Sequence, residues 1–326
     1  METRIRDVAA KAGVSVTTAS HVLRGYTGSK IKKETWDRVM EVASELGYRP
    51  NAVARSLKNQ RMTAVGLYTG YGSHNLRDPF LAEVYTGIQR ACSELHYDFL
   101  VHGDIEGKTA GEIRLKLSDG KVAGLVVHAQ PNDPVVAELS RGALPAIAIA
   151  DAQPLIPSVV ADDSDGMRMV VDYLWERGHR HIAYLSSHVY LASIEARSAT
   201  IARLVQERGG RCSVLPFPQG RPQDVFHEWL SQPDRPTALC CWNDYHAYWA
   251  LRSCLNTGLR VPEDYAIVGF DGLLDVLLPI RNLVTVAVPW QKMAAEAVYM
   301  IVNQIKGCPP PRLTVSPVSL VEGDTA

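Results

Sequence analysis

No apolar run in this chain of 326 residues approaches the ~18 needed to cross a bilayer as a helix, so a helical membrane protein is excluded. The opening stretch, METRIRDVAAKAGV, is charged and lacks the apolar core of a secretory signal. Six cysteines show no CxxC pair and no metal-ligand spacing, and the adjacent Cys240 and Cys241 lie in an apolar run where buried thiols are the ordinary state. These absences lead to an expected cytoplasmic location, reduced thiols and no bound metal. The catalytic signatures are missing as well: there is no P-loop, no GxSxG elbow and no HExxH helix. Gly70-Tyr71-Gly72 is a dinucleotide fingerprint without its third glycine, and no spacing sets a nucleophile beside a base. No cofactor is expected. A cytoplasmic sugar-binding or sugar-processing enzyme stays as the alternative, but it leaves the amino-terminal segment unexplained.

That segment is marked by charge. Residues 1–61 hold twelve Lys/Arg against six Asp/Glu, a charge of +6, and the remainder holds 22 against 29, a charge of −7. A basic head on an acidic body is what a small nucleic-acid module fused to a separate binding module would show. The length asks for two or three domains.

Ile5, Val8, Ala9 and Ala12 recur with helical spacing, and Gly13 follows as a stop. Ser15 offers an N-cap for a second helix over about 16–23. There Ala19, Val22 and Leu23 face the first helix, while Val16, Thr17, Ser20 and His21 lie outward, followed by Arg24. Two helices joined by such a short glycine-containing turn make a helix-turn-helix. The outward set suits a major groove, where Thr and His meet base edges and Val16 a thymine methyl. A third helix near 32–46 is expected to turn Trp36, Val39, Met40, Ala43 and Leu46 inward. The stretch 51–58 reads as a short helix capped by Asn51, too short to be stable unless something pins it.

From Thr63 onward ten apolar strand-like runs alternate with helical stretches, the pattern of parallel sheets covered by helices, with too many strands for one lobe. Ligands of such sheets bind beyond the carboxyl ends of the strands. Polar residues collect at that kind of position: Asp78 before Phe80, Asp163, Arg197, Asn243 and Asp271. Each serves equally as a helix cap or turn former, and only their joint placement argues for one cleft. Tyr71, Phe80, Trp242 and Trp290 are aromatic candidates for its walls, although Trp242 and Trp290 suit a core or an interface as well. Hydroxyl-bonding carboxylates beside aromatic faces suit a sugar or a nucleoside.

The run IRDVAAKAGVSVTTASHVLRG followed by ETWDRVMEVASELGYRPNAVARSLK resembles the head and hinge of the lactose-repressor (LacI/GalR) family, closest to its purine-repressor branch. VVADDSDGMRMVVDYLWERGHRHIAYLS and ALCCWNDYHAYWALRSCLNTGLRVPEDYAIVGFDG resemble the family's body, so the likeness extends over essentially the whole chain. It implies base reading by Val16, Thr17 and His21, and contacts to phosphates or neighbouring bases by Thr18 and Ser20. It implies paired hinge helices in the minor groove, with Leu57 wedged between the central base pairs and Arg55 and Lys58 near phosphates. Asp163, Arg197, Asn243 and Asp271 would line an effector cleft. The partners implied are double-stranded operator DNA, a small-molecule effector and a second copy of the chain, with no membrane. His21 departs from the arginine of many members, Lys32 from the usual Ser cap, Gly272 from a frequent Asp, and Arg197 lacks the usual glycine three residues on.

The expected fold is therefore an all-α helix-turn-helix head plus an α/β body of two Rossmann-like lobes, periplasmic-binding-protein-like. The expected boundaries are a head over 1–50, a hinge over 51–62 and a body over 63–326. Within the body an N-lobe takes about 63–159 and 287–307, and a C-lobe about 160–286 and 312–326. The expected function is a sequence-specific transcription regulator, a repressor, binding a palindrome as a homodimer under effector control.

Overall fold

The computed structural model describes residues 3–26, 31–48, 62–71, 78–103, 105, 107–187, 191–217, 229, 232–273 and 281–326. The hinge residues Asn51, Arg55, Leu57 and Lys58 lie outside them. The chain divides into two compact units, Met1–Met62 and Thr63–Ala326.

The first unit is helical: α1 (Ile5–Ala12), α2 (Val16–Leu23) and α3 (Lys33–Glu45). Gly13 ends α1 in the left-handed region, φ 65°, while the amide of Val14 returns to the carbonyl of Ala9. Two residues later the hydroxyl of Ser15 accepts from the amide of Thr18 at 3.0 Å and starts α2. Lys32 precedes α3 without a side-chain cap. The core is small, built on Val8, Ala9, Ala12, Ala19, Val22, Val39, Val42 and Ala43. Met40 departs from expectation: it is 48% exposed, and Val42 is buried instead. At 100° per residue, position 40 swings off the face shared by 39, 42, 43 and 46.

In the second unit the order is β1 (Ala64–Thr69), α4 (Pro79–Glu94), β2 (Asp98–Val101), α5 (Ala110–Leu117), β3 (Gly124–His128), α6 (Pro134–Ser140), β4 (Ala146–Ala150) and β5 (Ser158–Ala161). Then come α7 (Asp163–Glu176), β6 (His181–Ser186), α8 (Ala192–Glu207), β7 (Arg211–Pro216), β8 (Ala238–Cys241), α9 (Asp244–Asn256), β9 (Ala266–Asp271) and β10 (Val284–Ala287). The chain finishes with α10 (Trp290–Ile305), β11 (Leu313–Ser316) and β12 (Ser319–Val321). Two six-stranded sheets result. The first runs β11-β5-β4-β3-β1-β2, all parallel; the second runs β12-β10-β9-β8-β6-β7, parallel except for β12. Each of the ten apolar runs carries one of the first ten strands.

The chain passes between lobes after β5, between β10 and α10, and between β11 and β12. Two of these passages are bonded together, the amide of Asp162 donating to the carbonyl of Ser316 at 2.9 Å. Here the lobe boundaries need correction. β11 pairs with β5 in the first sheet, so 313–316 belong to the N-lobe rather than the C-lobe, and β5 carries that lobe to Ala161. The two last strands are short, with prolines around them, and their side chains are half exposed, which leaves no apolar run to mark them. Helix α10 packs on α4, made possible by Gly87, where a Cβ would stand 2.2 Å from the carbonyl oxygen of Gln291. Among the described residues no helix is long and apolar enough to cross a membrane.

Candidate functional site

In the first unit, α2 presents its outer face as expected. Val16 is 48% exposed, Thr17 is exposed, and Thr18, Ser20 and His21 are half-buried. The hydroxyl of Thr18 lies 2.9 Å from that of Ser15, so it takes part in the cap as well as facing outward. The ring of His21 lies tilted against that of Tyr26, centres 5.1 Å apart, and the amide of Tyr26 donates to the carbonyl of His21 at 3.0 Å. Arg24 sits exposed at the C-cap. Such a face offers hydroxyl, imidazole and methyl groups at one helix surface, the chemistry of base-edge reading.

The second unit holds a cleft of about 350 Å³ at the carboxyl ends of the strands of both lobes. Tyr71 follows β1. Asp78 caps α4, its carboxylate accepting from the amide of Phe80 at 3.0 Å, and Phe80 itself enters the cleft. From the other lobe come Arg197 on α8, Trp242 and Asn243 after β8, and Asp271 at the end of β9. With Trp290, eight of the nine candidate residues thus line one cavity. Asp163 does not; it stands behind the wall as the partner of Arg197. The capping alternative also holds for two of them, since Asn243 Oδ1 accepts from the amide of His246 at 2.9 Å, as Asp78 does on its own helix.

Arg197 is held on all sides. Its Nε donates to Asp163 at 2.7 Å, one terminal nitrogen donates to the carbonyl of Trp242 at 2.7 Å, and Asp271 stands 4.0 Å away. The guanidinium lies flat on Phe270, 3.6 Å from the ring centre. Burial works against its charge, and Asp163 and Asp271 more than restore it. Burial pushes the carboxyl of Asp271 well above the usual range, with Arg197 pulling the other way. Asp271 also sits at φ 119°, a conformation that non-glycine residues avoid, with its carbonyl accepting from the amide of Val288 at 3.1 Å.

Several lining residues were not anticipated. His128 ends β3, Asp151 follows β4, and Ser193 and His246 lie on α8 and α9. The strand-end rule that selected Asp271 applies equally to the last residues of GLVVH and AIAIAD, so the signal for His128 and Asp151 was present. Asp151 reaches across the cleft, accepting from the amide of Ser193 at 2.9 Å, and the preceding Ala150 adopts φ 74° to aim it. His128 lies between the rings of Tyr71 and Phe80, at 4.7 and 4.9 Å. Both tryptophans left open between cleft and core line the cleft. Trp290 is only 4% exposed and meets Phe80 edge-on at 4.8 Å, so it serves as core too. Two wall nitrogens, Trp242 Nε1 and Trp290 Nε1, are sealed from solvent without hydrogen-bond partners. Each costs about 1–3 kcal/mol, which opening of the lobes would relieve. Among the described residues no group of His, Cys, Asp and Glu is arranged to hold a metal ion.

Comparison with known proteins covers both units. Residues 4–51 match the model for bacterial regulatory proteins of the lacI family, and residues 171–326 the periplasmic binding protein-like domain. The HTH-type transcriptional repressor PurR of Vibrio atlanticus (strain LGP32) is 30% identical over 313 residues, 93% of this chain and 92% of that protein. PurR of Aliivibrio salmonicida (strain LFI1238) is 29% identical over 316 residues, with 93% and 92% covered. The crystal structure of the lac repressor dimer bound to operator and the anti-inducer ONPF superposes with a TM-score of 0.86 at 24% identity, covering 100% of this chain and 99% of that one.

Proposed function

The chain belongs to the lacI family of bacterial regulatory proteins, and from that premise we propose how this member works. It is a DNA-binding transcription regulator under the control of a small-molecule effector, not an enzyme. Two copies bind a palindromic operator as a homodimer, each head reading one half-site through Val16, Thr17 and His21, because two-fold protein symmetry asks for two-fold DNA symmetry. Leu57 enters the minor groove at the operator centre and kinks it, at a cost of a few kcal/mol in unstacking that bent DNA offsets with added contacts. The effector, a sugar or a nucleoside, binds in the cleft between the lobes in the cytoplasm. It changes lobe closure, and with it the separation of the two hinges. A coupling of ~1–3 kcal/mol is enough to alter operator occupancy severalfold. Repression is the role its relatives carry in their names.

The observation that carries the reading is the outward set on α2, exposed Val16 and Thr17 beside half-buried Thr18, Ser20 and His21, on a helix that a core of small residues holds in place. The test is selection of genomic fragments by the purified protein, followed by footprinting at stated salt. A protected palindrome with two half-sites is expected. Leu57→Ala should then weaken operator binding at least tenfold without loss of the half-site pattern, and unchanged affinity would remove the wedge. Absence of enrichment both with and without a pool of metabolites would sink the reading as a whole.

A further inference from the structure

The charge around the cleft restricts what can occupy it. Asp78, Asp151 and Asp271 stand in its wall and Asp163 directly behind, while Arg197 is the one Lys or Arg among the described lining residues. That guanidinium is already engaged by Asp163, the carbonyl of Trp242, the face of Phe270 and, at 4.0 Å, Asp271. It is 3% exposed. Burial holds the imidazole of His128 towards its neutral form, so it supplies no second cation. Even without Asp271, the carboxylates of Asp78 and Asp151 in the wall and Asp163 behind it stand against one guanidinium.

Helix amino-termini are the other source of positive potential, and four helices, α4, α8, α9 and α10, begin at the cleft. At each of these ends one amide is taken by an acceptor of the protein itself. Asp78 takes the amide of Phe80, Asp151 takes that of Ser193 from across the cleft, and Asn243 takes that of His246. On α10 the amide of Trp290 turns back to the carbonyl of Val288 at 2.8 Å. One amide at each of these ends is therefore taken from within, at two of them by a carboxylate, which sets negative charge where a phosphate or carboxylate would settle. What remains is a wall of six rings, Tyr71, Phe80, His128, Trp242, His246 and Trp290.

We infer that the effector is a ring-bearing molecule without an anionic group, so that sugar phosphates, nucleotides and organic acids are excluded from the cleft. The inference rests on the reading of the cleft as the effector site. Bringing a phosphate against these carboxylates leaves like charges opposed, with no free Lys or Arg among the described lining residues to separate them, and should weaken binding by ~100-fold or more.

The experiment splits a small-molecule extract of bacterial cells on an anion-exchange resin and measures the thermal unfolding midpoint of the whole chain in each fraction. The unretained fraction should raise the midpoint, and the retained fraction should leave it unchanged. Adenosine, ribose and glucose, each paired with its phosphate ester, then repeat the contrast with defined probes. A midpoint raised by the retained fraction alone would overturn the inference, as would a phosphate ester that binds as tightly as its parent. If neither fraction moves the midpoint, the effector reading fails, and this inference falls with it rather than on its own.

Discussion

Among its described residues the head fully buries only small side chains, including Val8, Ala12, Ala19 and Val22, and leaves Val16 and Thr17 at the surface. The body does the reverse, placing Arg197, Asp244 and Asp271 inside at 3%, 0% and 7% exposure. A surface reader holds its fold and its specificity on different residues, so its outer side chains are exchangeable at little cost in stability. A buried reader holds both on the same residues. Each charge removed from water must keep its partner, and a change that alters recognition alters folding too.

Removing one partner from the buried set should have the largest effect. Arg197→Ala leaves Asp163 facing no guanidinium, and the body should lose about 3–5 kcal/mol. Urea unfolding followed by tryptophan fluorescence measures this, and a body as stable as the parent would erase the contrast. Next comes pH. Asp244 accepts from the amide of Leu273 at 2.7 Å and from the hydroxyl of Thr285, yet burial lifts its carboxyl to about 6. A folded pKa above the unfolded one means that the native state binds more protons between roughly pH 4 and 6. Its contribution is therefore present at low pH and lost as pH rises through about 6, on the order of 3 kcal/mol. Asp244→Asn should flatten that part of the stability profile. An unchanged slope between pH 4 and 6 would assign it to other groups.

Smaller effects belong to the head. His21→Ala should alter the preferred base at one position of each half-site, with about 1 kcal/mol of discrimination lost and no change in unfolding. A uniform loss over all sequences in a selection experiment would make His21 a phosphate contact instead. Ser15→Ala should reduce head stability by about 0.5–1 kcal/mol, seen as faster amide exchange over α2 while the body's exchange stays fixed. Coupled changes in both units would break the separation on which the comparison stands.

Much of this was legible in the chain itself. The period of Ile5, Val8, Ala9 and Ala12, the stop at Gly13 and the cap at Ser15 are local signals, and the helices formed where those signals stood. Met40 was misjudged because a helical face is only approximately read from spacing, and its neighbour Val42 lay at the better angle. In the body the ten apolar runs were plain, whereas β11 and β12 were not, since half-exposed edge strands of four and three residues bury too little to leave a pattern.

The sequence by itself determined the division of charge between head and body, the succession of helices and strands, and which polar residues end strands, because these depend on neighbours along the chain. Only the tertiary structure decided that Asp163 stands behind Arg197 rather than in the cleft. It alone decided that Asp151 bonds an amide of the opposite lobe, and that β11 returns to the first sheet. Those outcomes join residues as far apart as Leu313 and Ser158. Pairing at that range is set by how whole lobes close over their buried surface, and no local preference encodes it.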